Sequence, residues 1–224
     1  IYGALVAMVQ PNMKKLVAYS SVSHLGFVVL GIFSFTQQGL DGAVYQMLNH
    51  GISTGALFIL VGYMYERRHS LEIADYGGVA TPAPNLATVF LITSLASLGL
   101  PMLNNFVGEF LVLQGAARAN FTWAVFAATG VILSAAYLLW LYQRAFLGEA
   151  SEAVKHHIRD LSPREWVAIL PLVALMVWMG TAAQTFLPPI SASNSLILER
   201  VEQGVIVNVE NRIPALPQEA DHAR

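Results

Sequence analysis

Leu91-Ile92-Thr93-Ser94-Leu95-Ala96-Ser97-Leu98-Gly99-Leu100-Pro101-Met102-Leu103-Asn104-Asn105-Phe106-Val107-Gly108-Glu109-Phe110 is the stretch that decides how this chain folds. Up to Gly108 it belongs to a run, residues 76–108, without Asp, Glu, Lys or Arg. An uncharged stretch of about 20 residues is long enough for a helix to cross the hydrocarbon core of a bilayer. Backbone N–H and C=O groups in lipid must be satisfied inside the segment, so such a stretch is helical. The stretch from about 84 to 118 is too long for one straight span. It is interrupted at Leu100-Pro101-Met102-Leu103-Asn104-Asn105. Proline removes a helical hydrogen bond and clashes with the preceding turn, and asparagine side chains can bond freed backbone groups. The spacing predicts a broken helix with Glu109 just beyond the break.

The same reading extends outward. Residues 16–40, 42–65, 119–143 and 166–198 are also free of the four charged residue types. Charged residues make up 12% of the chain, about half the share in soluble domains. A soluble core accounts for one such block and not for five, and the two-residue alternation of a membrane barrel is absent. The chain reads as an all-α membrane protein with about six transmembrane helices, one of them broken. The passes are placed at 1–10, 19–36, 42–65, 84–118, 121–147 and 166–187. Residues 1–187 form the transmembrane domain, and 188–224 form a polar, proline-containing tail with room for a short surface helix. The opening Ile1-Tyr2-Gly3-Ala4-Leu5-Val6 reads as the inside of a helix, as in a fragment of a longer chain.

Loop charges set the orientation. With six passes one side receives Lys14, Lys15, Arg67, Arg68, Arg144, Lys155, Arg159 and Arg164, while Arg118 stands alone in the inter-helix loops of the other. Positive loops stay in the cytoplasm, so the tail with Arg200, Arg212 and Arg224 is expected outside. The net charge of −2 argues against a nucleic-acid partner. There is no cysteine, no zinc spacing around His156 and His157, and no glycine-rich phosphate loop. Tyr65-Glu66-Arg67-Arg68-His69 reads as a solvated loop with local ion pairs.

Ionisable groups at membrane depth are costly and mark ion pathways. Glu109 in the broken stretch, His50 in the third pass and His24 in the second are the candidates. An apolar setting disfavours a charged carboxylate, so changes in hydration or nearby charge can load and unload its proton. A broken helix adds free backbone groups, space for water and a joint. The alternative for Glu109 is a structural tie to a lysine. Histidine titrates near neutrality; His50 is either a relay or a hydrogen-bonded packing residue. His24 follows Ser20, Ser21 and Ser23, which either hold water around a relay or simply bond the ring. Lys14 is a topology anchor or a minor participant.

These residues carry a family resemblance. Asn12-Met13-Lys14-Lys15-Leu16-Val17-Ala18-Tyr19-Ser20-Ser21-Val22-Ser23-His24-Leu25-Gly26 resembles the segment D-L-K-R-L-I-A-Y-S-S-V-S-H-M-G of the antiporter-like membrane subunits of respiratory complex I, the proton-pumping NADH:quinone oxidoreductase. Gly42 to Gly51, Phe58 to Arg67 and Leu100 to Phe110 resemble the next three family elements in order. Glutamate at position 109, where most relatives carry lysine, resembles the M branch (subunit 4 in mitochondria). The resemblance implies helices 9–14 of a fourteen-helix fold, the second inverted repeat plus the last helix. It implies that Glu109 is the terminal proton-exchanging residue, that His50 and His24 belong to a hydrated relay, and that Lys14 matches the family lysine at the end of the ninth helix.

By the same resemblance the chain would be a proton-translocating subunit with no cofactor of its own. The whole complex would use NADH, FMN, iron–sulfur clusters and quinone. Its partners would be neighbouring antiporter-like subunits in the bacterial inner membrane and the lipid around them. The alternatives are a subunit of a multi-subunit sodium/proton antiporter or of a membrane-bound hydrogenase complex. Three positions depart from the pattern: Asn12 replaces an aspartate, Met102 replaces a glycine, and Leu71 stands where an arginine often lies.

Overall fold

The computed structural model describes residues 1–202. The rest of the expected tail, 203–224 with Arg212 and Arg224, lies outside the described residues. The elements are α1 Tyr2–Met8, α2 Met13–Phe33, α3 Gln37–Arg68, α4 Pro84–Ser97, α5 Asn104–Ala119, α6 Phe121–Phe146, α7 Glu152–His157, α8 Pro163–Thr181 and α9 Leu187–Glu202, with short 3₁₀ turns at Ile73–Asp75 and Ala183–Thr185. Among the described residues no β-strand forms. Four helices, α2, α3, α6 and α8, are long and apolar enough to cross a membrane. α4 and α5 together make the broken pass, so the fold is an all-α, multi-pass membrane fold.

The break is sharper than proline alone makes it. After Ser97 the chain turns at Gly99, φ +80°, a left-handed conformation that favours glycine. Gly99 N–H donates to Ala96 O at 3.3 Å and Leu100 N–H to Leu95 O at 3.0 Å, the paired bonds of a Schellman C-cap. Pro101 then prevents helical continuation. Met102 also takes a positive φ, +74°, so it adopts the backbone a glycine adopts readily.

Other boundaries move for identifiable reasons. α2 begins at Met13, six residues before the predicted start, because the Asn12 side chain accepts from Lys15 N at 3.1 Å and caps the helix. The Asn12 amide also donates to Glu72 Oε1 at 3.1 Å, a bond an aspartate cannot donate. α3 runs from a Thr36 cap to Arg68 and absorbs most of the predicted solvated loop. The first part of the predicted tail is a helix, α9, fastened to α3 by Asn194 Nδ2 to Asp41 Oδ1 at 2.8 Å and Gln37 Nε2 to Ser191 O at 3.0 Å.

Close approach of α3 to α5 positions the site. Gly42 lies so near α5 that a Cβ there would come within 2.6 Å of Val112 N. That seam sets the two helices backbone to backbone, and polar residues on either side of it meet directly.

Candidate functional site

Four helices converge on Glu109. It lies on the second turn of α5, past the break, and is 3% exposed. Its Oε1 is 3.0 Å from Nδ1 of His24 on α2, and Gln46 Nε2 on α3 donates to the same oxygen at 3.3 Å. His24 is 1% exposed, and its other nitrogen, Nε2, lies 3.2 Å from the hydroxyl of Tyr137 on α6. A carboxylate only accepts, so with Glu109 ionised His24 carries its proton on Nδ1. Nε2 of the neutral ring then accepts from Tyr137.

Three of the four predicted residues come together. His50 on α3 stacks obliquely beside His24, ring centroids 5.6 Å apart, and Thr54 Oγ1 lies 3.1 Å from its Nδ1. The partner of Glu109 is a histidine rather than a lysine. The serines around His24 do not bond its ring: Ser20 and Ser21 donate back to Val17 O at 2.7 and 3.3 Å. Lys14 stands apart. It is exposed on the first turn of α2 beside Phe58 and Tyr65, ten residues or about 15 Å of helix from His24. Among the described residues no group of three His, Asp or Glu side chains is arranged to hold a metal ion.

The break is lined with polar groups. Asn105 Nδ2 donates to Ser97 O at 3.3 Å, the freed carbonyl at the end of α4, and to Ser53 Oγ at 2.9 Å. Asn104 bonds α3 instead, in a reciprocal pair: Asn104 Nδ2 to Asn49 O at 3.0 Å and Asn49 Nδ2 to Asn104 O at 2.8 Å. The side-chain oxygens of Asn49, Asn104, Asn105, Ser94 and Ser97 are buried with no hydrogen-bond partner. Buried acceptors of this kind are the ones that water satisfies. The free carboxylate oxygen of Glu109 faces this side, against Gly99, where a Cβ would lie 2.6 Å from Oε2. Glu109 therefore presents one oxygen to His24 and Gln46 and the other to the break.

Gln46, Tyr137 and Gly99 are members of the site that the sequence reading did not single out. Tyr137 sits on α6, 113 residues from the histidine it bonds. An isolated phenol in an apolar run was the one available signal. Gly99 was legible as a glycine two residues before a proline, the usual order at a helix end.

Comparison with known proteins identifies the family. Residues 1–134 match the family described as NADH:quinone oxidoreductase/Mrp antiporter, TM. NADH-quinone oxidoreductase subunit M of Rickettsia prowazekii is 48% identical over 187 residues, 84% of this chain and 38% of that protein. The Rhodobacter capsulatus protein of the same name is 50% identical over 181 residues, 80% of this chain and 35% of that protein. A chain of respiratory complex I from Thermus thermophilus with bound NADH superposes with a TM-score of 0.84 at 39% identity, covering 88% of this chain and 42% of that one. A chain of the Mrp complex from Dietzia sp. DQ12-45-1b shares the fold, with a TM-score of 0.79 at 21% identity over 88% of this chain and 45% of that one. The chain spans less than half the length of each of these relatives. By the family match, the sequence identity and the fold together, this chain belongs to the NADH:quinone oxidoreductase/Mrp antiporter transmembrane family.

Proposed function

We propose that this chain is part of a proton-translocating membrane subunit of an NADH:quinone oxidoreductase, and that Glu109, His24 and His50 move the proton. The observation that carries the reading is the buried Glu109–His24 pair at a helix break, 3.0 Å between Oε1 and Nδ1. Two arrangements of one proton are available to it: imidazolium with carboxylate, or neutral imidazole with carboxylic acid. In a low-dielectric site, neighbouring charge decides between them. A positive charge on His50, 5.6 Å away, repels a second one on His24 and drives the shared proton onto Glu109. Tyr137 holds His24 in place on the other side. Rotation of the carboxyl group then turns the protonated oxygen from His24 toward the break, where water takes the proton.

Electron transfer from NADH to quinone takes place elsewhere in such a complex, on cofactors held by other subunits. Redox energy reaches this chain as a change in charge along the line of buried groups. Its partners are the adjoining membrane subunits, antiporter-like neighbours among them, and lipid. Lys14 and the other basic residues at that end face the cytoplasm of a bacterial cell, and α9 faces outward. Lys14 serves as an anchor there rather than a carrier, since it is exposed and far from the pair.

The test is Glu109→Gln in the full-length subunit in its native membrane, with assembly checked on a native gel. NADH oxidation and proton-gradient formation are recorded together. An assembled complex that oxidises NADH but pumps fewer protons, or slows in both, is the expected result. Unchanged pumping removes Glu109 from the path and the reading with it.

A further inference from the structure

A second buried carboxylate lies between Glu109 and the α9 end of the molecule. Asp41, 8% exposed, sits in the first turns of α3. Its Oδ1 accepts from Gln37 Nε2 at 2.9 Å and from Asn194 Nδ2 of α9 at 2.8 Å. Among the described residues no donor reaches its Oδ2. The side chain borders a cavity of about 380 Å³ between α3, α5 and α9, lined also by Gln38, Leu111, Gln184 and Ser191. Among the described residues Asp41 is the sole ionisable one lining it. The arrangement repeats that of Glu109: one oxygen tied by neighbouring donors, the other free.

The two carboxylates are close along the fold. Asp41 precedes Gln46, which bonds Glu109, by five residues, about 7.5 Å of helix. Between them α3 and α5 touch at the Gly42 seam, with Leu111 Cβ and Gly108 O also against Gly42. In this arrangement the seam is shut. The break at residues 98–103 leaves α5 without a helical continuation into α4, so a tilt there is the motion that would open the seam beside Gly42.

We propose that Asp41 is the proton acceptor on the release side of Glu109, with the Gly42 seam as the gate between them. This rests on the proton-translocating reading given above. Glu109 as the acid gives its proton through water to the Asp41 carboxylate and returns to the anion. Asp41 then releases the proton through the cavity beside α9. The amide of Gln37, one turn away on the same helix, keeps its bound oxygen fixed, so the free oxygen exchanges the proton. A purely structural Asp41, one that only pins α9, makes a different prediction, because Asn194 is then equally important.

Asp41→Asn, Asp41→Glu and Asn194→Ala in the full-length subunit of the assembled complex separate the cases. The expected result is loss of protons pumped per NADH oxidised in D41N, retention in D41E, and little loss in N194A. Normal pumping in D41N, alongside loss in E109Q, overturns the proposal and leaves the role of Glu109 standing. Normal pumping in E109Q overturns the underlying reading instead. If D41N does not assemble, infrared difference spectra during turnover decide, comparing the native complex with D41E. A carboxyl band that shifts in D41E supports the proposal, and identical carboxyl bands in the two overturn it.

Discussion

His24 is gripped at both ring nitrogens, and the two bonds do different work. On the proposed reading the Nδ1–Glu109 contact is where a proton changes hands, and the Nε2–Tyr137 contact fixes the orientation of the ring. Tyr137→Phe keeps the ring packing and removes one donor from a buried acceptor. That omission costs about 1–2 kcal/mol, read as a lower thermal midpoint of the assembled complex. Pumping also slows while Glu109 is intact. A variant with native stability and native pumping shows that the bond is idle. His24 and Glu109 were each legible as ionisable groups in apolar runs. Their pairing was not, because 85 residues separate them and chain order carries no record of which faces meet. Met102, where the resemblance expects a glycine, takes φ +74°, a conformation that glycine adopts readily.

At the scale of elements the broken pass is held at both ends. Gly99 closes α4 at its C-terminus, and its N-terminus is capped from a distant loop. α4 has no side-chain cap of its own. Asp160 supplies one, accepting from Leu86 N at 2.8 Å and from Asn85 N at 3.1 Å. Burial works against the charged form of Asp160, but the bonds from Leu86, Leu161 and Asn85 outweigh it and hold the carboxyl below its ordinary range. A group whose pKa is depressed by folding stabilises the fold above its unfolded value. That stability is lost as pH falls through the folded value. Acidification below about pH 4 therefore loosens α4. Asp160→Ala costs about 1 kcal/mol, as a lost cap does, and its thermal midpoint is flatter with pH over that range. An unchanged acid profile in the variant removes Asp160 from the account. The helices themselves were legible from length and missing charge. This cap was not, since 74 residues separate Asp160 from Leu86.

Across the whole molecule, the end with the basic loops is tied together by Arg67. The sequence reading placed it in a solvated loop, but its guanidinium reaches Glu165 Oε2 at 2.7 Å, Arg159 O at 2.8 Å and Asp160 O at 3.2 Å. The last turn of α3, the loop before α8 and the start of α8 thus share one half-buried charge. Arg67→Ala leaves Glu165 and two carbonyls short of a donor, at a cost of about 1–3 kcal/mol. Combined with Glu165→Gln, the loss is smaller than the sum of the two single losses, because both act on one interaction. Strict additivity of the thermal midpoints excludes this coupling. Arg67 thus serves as an anchor for α8.

The sequence alone determined that this chain is helical and membrane-embedded, that one of its passes is broken, and that Glu109, His24 and His50 are ionisable groups set in apolar stretches. The reason is that lipid tolerates neither charge nor unpaired backbone, so each span is written locally as an uncharged run and each exception stands out. Tertiary structure alone decided that Glu109 faces His24, that Tyr137 and Gln46 complete the site, and that Asp41 lies under α9. Those contacts depend on how closely α2, α3, α5, α6 and α9 approach and how each is turned about its axis. The approach is set by small residues packed at interfaces such as the Gly42 seam, whose effect is felt only when the helices meet.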